Sequence, residues 1–358
     1  MALIPCTILT GFLGAGKTTL LKRILQEEHG LRIAVIENEF GQENIDNEIL
    51  VHDSGEQIIE MNNGCICCSV RGDLIVALAA LAQKREAGEL AFDRVVIETT
   101  GLANPGPVAQ TFFVDEEVNA HYMLDAVITV VDARHAMAQL DEHEEAQRQV
   151  GFADKLLISK TDLVDAGALA ALKARLGRIN PRAPMLHSDH GRIAIADVLD
   201  IRGFNLNDKL ELDPAFLGAP APQAGEEDVH VHSEACGHEH GHGHDHEHAH
   251  GHDHHSARHD DEIAAFVFKS ARAFDPALLD EFLGSVVQAF GPRMLRYKGV
   301  LLMQGADRKV VFQGVHQMMG SDLGAKWGET EERGSKMVFI GKNLPKDVFI
   351  HGLEQCLV

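Results

Sequence analysis

The first two hundred residues alternate short, continuously apolar runs with longer segments of helical periodicity. The runs are rich in Val, Ile and Leu without polar alternation, which is typical of strands buried on both faces of a parallel sheet. We predict strands at residues 4–9, 33–36, 95–97, 126–131, 156–158 and 185–186. Helical patterns lie between them, for example at 18–28, 73–86 and 168–179. The alternation predicts a doubly wound α/β domain with a mostly parallel sheet over residues 1–210.

The pattern stops near residue 211, where prolines and glycines mark a linker. Residues 229–259 then contain 13 of the 22 histidines of the chain. This segment has almost no apolar side chains to offset the entropy of ordering, so we expect residues 211–261 to be disordered without metal. Histidines stand at every second position over part of it. They are His238, His240, His242, His244, His246, His248, His250, His252 and His254.

Regular patterning resumes at residue 262. Strands are predicted at 263–267, 300–303, 310–314 and 338–340, with helices at 276–290 and 345–356. These elements predict a small α/β domain over residues 262–358 with mostly antiparallel strands. Nothing in it has a catalytic pattern, and Trp327 is expected in its core.

The charge of the chain narrows the range of partners. A formal net charge of −22, from 54 acidic and 32 basic residues, repels phosphate backbones and argues against nucleic acid as a partner. No apolar run approaches the ~18–20 residues that a membrane helix needs. The first nine residues lack a basic region and a small-residue cleavage site. We therefore expect a cytoplasmic protein that does not insert into membranes.

A phosphate-binding loop follows the first predicted strand. Residues 11–18 read GFLGAGKT, which fits the pattern G-x-x-x-x-G-K-[ST] between a strand and a helix. Backbone N–H groups of such a loop surround the phosphates, while the lysine contacts the β- and γ-phosphates and the hydroxyl holds Mg²⁺. The predicted nucleotide-binding residues here are Gly11, Gly14, Ala15, Gly16, Lys17, Thr18 and Thr19.

Two later motifs complete the predicted nucleotide site. Glu98 ends a buried run and begins the sequence ETTG, so it is a second candidate ligand for Mg²⁺, and the Gly101 N–H is a candidate contact to the γ-phosphate. Residues 159–162 read SKTD and resemble the guanine signature N-K-x-D, with Ser159 in place of Asn. Asp162 can accept two hydrogen bonds from guanine that adenine cannot donate, and the Lys160 stem would pack across the base. The predicted nucleotides are GTP and GDP.

Three cysteines within four residues predict a metal site. Cys65, Cys67 and Cys68 supply thiolates, which favour borderline metals such as Zn²⁺ in tetrahedral sites. Glu37 and Glu39, after the second strand, are carboxylates that would complete the ligand set. The alternatives are buried thiols without a metal or a redox pair, although C-x-C-C lacks the C-x-x-C spacing of thioredoxin-like sites.

The histidine segment is a second candidate metal site. Neutral imidazoles spaced two residues apart can chelate Zn²⁺, Ni²⁺, Co²⁺ or Cu²⁺. Its alternatives are a solvated linker or a fused tag. We interpret it as a metal reservoir, and composition does not identify the ion.

Taken together, these motifs resemble the CobW family of metallochaperone GTPases, and within it the YjiA-like branch. The resemblance rests on the phosphate loop, VIENEFG at 35–41, NGCICC at 63–68, ETTG and SKTD. It extends to LRYKG at 295–299, FQGV at 312–315 and MVFIG at 337–341. It implies a slow GTPase whose nucleotide state controls metal binding at Cys65, Cys67 and Cys68, with Glu37 as a further ligand.

The resulting hypothesis is a chaperone that binds zinc or cobalt and releases it to a client metalloprotein when GTP is hydrolysed. Lys17 and Glu98 are the predicted catalytic groups, and Asp46 or Glu39 would position the attacking water. A homodimer is plausible for this class. The alternatives are a passive zinc buffer that depends on the histidines, a cobalt chaperone for cobalamin biosynthesis, and a small-molecule P-loop kinase.

Overall fold

The computed structural model describes residues 3–27, 29–37, 58–60, 69–201, 203, 261–328 and 331–358. The predicted domain boundaries at 210 and 261 lie outside these residues and stay predictions. Within the described residues, two sheets are formed, one parallel and one antiparallel.

Seven described strands form the parallel sheet, in the order β3-β2-β4-β1-β5-β6-β7. The six predicted strands are confirmed, and all of them are longer than the apolar runs. A seventh strand, β3, was not predicted. The strands are β1 (Ile4–Gly11), β2 (Ile33–Glu37), β3 (Ile58–Glu60), β4 (Arg94–Glu98), β5 (Tyr122–Asp132), β6 (Lys155–Ser159) and β7 (Met185–His187).

Helices follow these strands as a doubly wound sheet requires. The three helices named from the sequence are confirmed, although the first ends at Gln26, and four more lie between β4 and β6. The helices are α1 (Lys17–Gln26), α2 (Ser69–Glu86), α3 (Pro105–Val114), α4 (Glu116–His121), α5 (Ala136–Glu142), α6 (Glu144–Phe152) and α7 (Ala166–Ile179).

The second sheet has five antiparallel strands in the order β11-β10-β9-β12-β8. The predicted strand at 300–303 was wrong in its bounds, since the strand ends at Leu301, and β11 was not predicted. The helix at 276–290 is confirmed, and Trp327 is buried as expected. The elements are β8 (Ile263–Ser270), α8 (Pro276–Phe290), β9 (Met294–Leu301), β10 (Arg308–Val315), β11 (Met318–Lys326), β12 (Ser335–Lys342) and α9 (Lys346–Gln355).

Alternating side chains of this sheet belong to two different cores. In β12, Met337 and Phe339 pack with α8 and α9. Val338 and Ile340 instead join the core of the first domain, which includes Phe152 of α6. The period of two in a strand sends neighbouring side chains to opposite faces, so one strand contributes to both cores.

A buried ion pair also joins the two sheets. Arg296 of β9 donates to Asp154 through two nitrogens, at 2.8 and 2.6 Å, and to the Phe152 carbonyl at 2.9 Å. Asp154 also accepts the Val127 N–H at 2.9 Å. Both charged side chains are at most 5% exposed, so the loss of one partner leaves the other charge in a poorly solvated site.

No helix within the described residues combines the length and the apolar character that crossing a bilayer requires.

We predict that Arg296→Met lowers the free energy of unfolding by about 3–5 kcal/mol, because it removes the guanidinium that faces the buried Asp154 carboxylate. The shift of the urea midpoint measures the loss. Arg293→Met is the matched control, since Arg293 is exposed and donates to the Lys342 carbonyl; its effect should stay within about 0.5 kcal/mol. Equal midpoints for the two variants would contradict the importance of the buried pair.

Candidate nucleotide and metal site

The phosphate loop begins where β1 runs against β5. Gly11 has a φ of +144°, and a Cβ built there would lie 2.3 Å from the Val130 carbonyl oxygen, so only glycine fits. Gly14 and Gly16 also have positive φ, at +73° and +101°. The loop then passes into α1, whose first residue is Lys17. The backbone therefore has the strand–loop–helix geometry that the motif predicts.

Lys17 lies across this loop. Its Nζ donates to the carbonyl oxygens of Gly11 at 3.0 Å and Phe12 at 3.4 Å, and the side chain is buried. Ala15 closes the loop by donating its N–H to the Phe12 carbonyl at 3.1 Å. The Lys17 ammonium group therefore lies within the phosphate loop, which is the position that a lysine contacting the β- and γ-phosphates needs.

Thr18 and Glu98 meet at the start of α1. The Thr18 hydroxyl donates to Glu98 Oε1 at 3.0 Å, although the two residues are 80 positions apart. The parallel pairing of β1 and β4 brings them together, since Leu9 is the register partner of Glu98. Two adjacent oxygen ligands beside a phosphate loop suit Mg²⁺, a hard cation. Thr19, the next residue, is exposed in the first turn of the helix.

The loop after Glu98 lies against the phosphate loop. The Thr99 N–H donates to the Leu9 carbonyl at 3.0 Å, and the Thr99 hydroxyl donates to that of Thr10 at 2.8 Å. A Cβ built at Gly101 would lie 2.7 Å from the Leu13 nitrogen. Only glycine, which has no Cβ, lets the two loops come this close, and this accounts for the glycine in ETTG.

The SKTD motif is tied directly to the phosphate loop. The Ser159 hydroxyl donates to the Ala15 carbonyl at 2.7 Å, so serine here links the end of β6 to the phosphate loop. Lys160, with a φ of +57°, donates through Nζ to the Gly14 carbonyl at 2.8 Å. Asp162 is exposed in a single 3₁₀ turn, Thr161–Leu163, next to this junction. Its carboxylate is therefore accessible to a base.

Asp132 belongs to this site and was not predicted. It ends β5, is 2% exposed, and accepts Lys160 Nζ at 2.6 Å, while His135 Nδ1 lies 2.9 Å from the same oxygen. Burial opposes ionisation of this carboxyl, but hydrogen bonds from Lys160, His135 and the Arg134 N–H outweigh it and hold its pKa below the usual value. Asp132 thus fixes the lysine of the SKTD motif as an ion pair.

One predicted zinc ligand lies beside the nucleotide residues. Glu37 ends β2 and is the register partner of Glu98 on one side and Glu60 on the other. Within the described part of the chain, no group of three or more His, Cys, Asp or Glu residues is arranged to hold a metal ion. The remaining predicted residues lie outside that part. They are Glu39, Asp46, Cys65, Cys67, Cys68 and the nine alternating histidines from His238 to His254.

Both parts of the chain match known families. Residues 5–187 match the family described as CobW/HypB/UreG, nucleotide-binding domain. Residues 263–357 match the domain described as Cobalamin synthesis protein cobW C-terminal domain.

Individual relatives extend over nearly the whole chain. Zinc chaperone YjiA of Escherichia coli is 38% identical over 345 residues, which is 96% of each protein. Zinc chaperone CobW of Pseudomonas aeruginosa is 33% identical and covers the whole chain and 92% of its own length. The crystal structure of Zn(II)-bound YjiA GTPase from E. coli is 34% identical, with a TM-score of 0.73 and full coverage of both chains. The chain therefore belongs to the CobW/HypB/UreG family and is a P-loop GTPase.

Proposed function

We propose that this protein is a GTP-dependent metallochaperone that carries zinc on Cys65, Cys67 and Cys68 and delivers it to a client protein. Relatives named zinc chaperone and zinc-regulated GTPase metalloprotein activator support zinc as the cargo and a protein as the recipient. In this proposal GTP hydrolysis controls the release of the ion.

The observation that carries the proposal is the register of three neighbouring strands. Glu98 hydrogen-bonds Thr18 on the nucleotide side, and its register partner Glu37 is the predicted zinc ligand. Neighbouring parallel strands lie ~4.8 Å apart. A movement of Glu98 when the nucleotide changes would therefore occur one strand away from Glu37. The segment with the three cysteines connects β3 to α2, and β3 is the neighbour of β2 in the sheet.

The described residues support phosphoryl chemistry by position and charge. Lys17 would contact the β- and γ-phosphates, and the loop N–H groups and the α1 N-terminus would bind phosphate oxygens. Thr18 and Glu98 would hold Mg²⁺, which when bound neutralises charge on the β- and γ-phosphates. Asp46 and Glu39 remain the predicted water-positioning residues.

Guanine recognition is assigned to Asp162 with Lys160. Asp132 holds the lysine as an ion pair, and Lys160 also bonds the Gly14 carbonyl. Lys160 therefore links the proposed base-binding motif to the phosphate loop.

We predict that Asp162→Asn weakens GTP binding by ~100-fold, because the amide cannot accept both guanine N–H groups. It should improve XTP binding relative to GTP, since the Asn amide can donate to the xanthine oxygen that replaces the guanine amine. Nucleotide titrations on both variants measure this. Asp165→Asn is the matched control: Asp165 is also exposed, caps α7 and should leave both affinities within ~2-fold. Wild-type GTP affinity in Asp162→Asn would refute the assignment.

The metal half of the proposal follows from thiol chemistry. Zinc requires deprotonated cysteines, so its binding releases protons and weakens as the pH falls. With GTP bound, the segments after β2 and β3 would hold the ligand set together. Hydrolysis removes the contacts to the γ-phosphate and lowers zinc affinity, so the ion passes to the docked client.

We predict that a protein lacking residues 229–259 binds Zn²⁺ about 5–150-fold more tightly with a non-hydrolysable GTP analogue than with GDP. Competition with a chromophoric chelator measures both constants. The difference should disappear in Cys67→Ser and Cys68→Ser but persist in Cys356→Ala, whose buried thiol lies in the second domain. Equal zinc affinities in the two nucleotide states would reject nucleotide control.

The histidine segment supports a second role as a reservoir or buffer. A related crystal structure, of a YjiA triple mutant in which one glutamate and two cysteines are replaced by alanine, is also Zn(II)-bound. A purely passive buffer differs from a chaperone in one respect: Lys17→Ala would leave metal transfer unchanged. Cobalt is the alternative cargo, which the same preparations can test. A cytoplasmic location and a homodimer are further parts of the proposal.

A further inference from the structure

Gln149 joins the GTPase site to α6. It lies in the last turn of that helix and is 1% exposed. Its Nε2 donates to the Gly101 carbonyl at 3.1 Å and to the Ala103 carbonyl at 3.0 Å. One side-chain amide thus uses its donors on two carbonyls of the same loop, the loop that follows Glu98.

These hydrogen bonds fix the orientation of the peptide groups in the loop. In a trans peptide the C=O and the next N–H point in opposite directions, so a Gly101 carbonyl directed at Gln149 sends the Leu102 N–H the other way. The Thr100 carbonyl is held in turn by the Ala103 N–H at 3.1 Å. Gly101 packs against Leu13 of the phosphate loop, so a rotated peptide has little room.

Gln149 is itself held by the central part of the sheet. The Thr129 hydroxyl of β5 donates to the Gln149 main-chain carbonyl at 2.7 Å. Two residues earlier on the helix, Gln147 is also buried, but it contacts other groups. Its amide donates to the Leu140 carbonyl at 2.8 Å and accepts the Ile263 N–H at 3.1 Å.

We propose that Gln149 is a positioning residue for GTP hydrolysis. It holds the loop of residues 99–104 against the phosphate loop, on the side where Glu98 and Thr18 meet and the γ-phosphate is bound. GDP lacks the γ-phosphate, so Gln149 strengthens the binding of GTP and not that of GDP. The assignment concerns the GTPase reaction and does not depend on the identity of the metal cargo.

Gln149→Met tests the assignment, since methionine matches the length of glutamine but cannot donate. We expect kcat for GTP hydrolysis to fall ~10-fold, and the affinity for a non-hydrolysable GTP analogue to fall by a similar factor relative to GDP. GDP affinity itself should change by less than ~2-fold. Gln147→Met, on the same helix, should leave the ratio of the two affinities unchanged.

Two results would overturn the proposal. One is an unchanged kcat and affinity ratio in Gln149→Met. The other is an equal loss of analogue and GDP affinity, which would indicate a structural role alone. If Gln149→Met does not fold, Thr129→Val replaces it, because it removes only the hydroxyl that donates to the Gln149 carbonyl. It should lower the affinity ratio by a smaller factor, ~2–3-fold, and an unchanged ratio overturns the proposal as well.

Discussion

The parallel register of β1, β4 and β2 is the constraint on which the rest of the site depends. Parallel strands end at the same edge of a sheet, so the phosphate loop after β1, Glu98 at the end of β4 and Glu37 at the end of β2 are neighbours. The Thr18–Glu98 hydrogen bond forms only because this register is kept over residues far apart in sequence. A slip of one residue in β4 or β2 would send its side chains, Glu98 or Glu37 among them, to the opposite face of the sheet.

Helix α6 contacts both the loop after Glu98 and the second domain. Gln149 holds the loop after Glu98, while Gln147 accepts the Ile263 N–H and Phe152 packs at the edge of the His316 ring. Ile263 is the first residue of β8. The second domain is therefore in direct contact with the helix that holds the loop after Glu98.

The sequence predicted the parts of the site that are local in the chain. The phosphate loop and the SKTD motif are contiguous, and Glu98 ends an unbroken apolar run. Asp132 was missed, although it ends the run at 126–131 in the same way as Glu98 does. Gln149 was not predictable, because its partners are backbone carbonyls 46 and 48 residues away, and carbonyls leave no signature in sequence. Strand β11 was missed because five of its residues in a row are exposed and Gly, Ser and Asp replace apolar alternation.

In the proposed function, the zinc ligands and the γ-phosphate share one free-energy coupling, which thermodynamics requires to act in both directions. The most direct measurement is the dissociation constant of a non-hydrolysable GTP analogue, determined with and without one equivalent of Zn²⁺ on the protein lacking residues 229–259. Zinc should tighten analogue binding by about the same factor by which the analogue tightens zinc, ~5–150-fold, and leave GDP binding unaffected. The same analogue affinity with and without zinc would contradict the account.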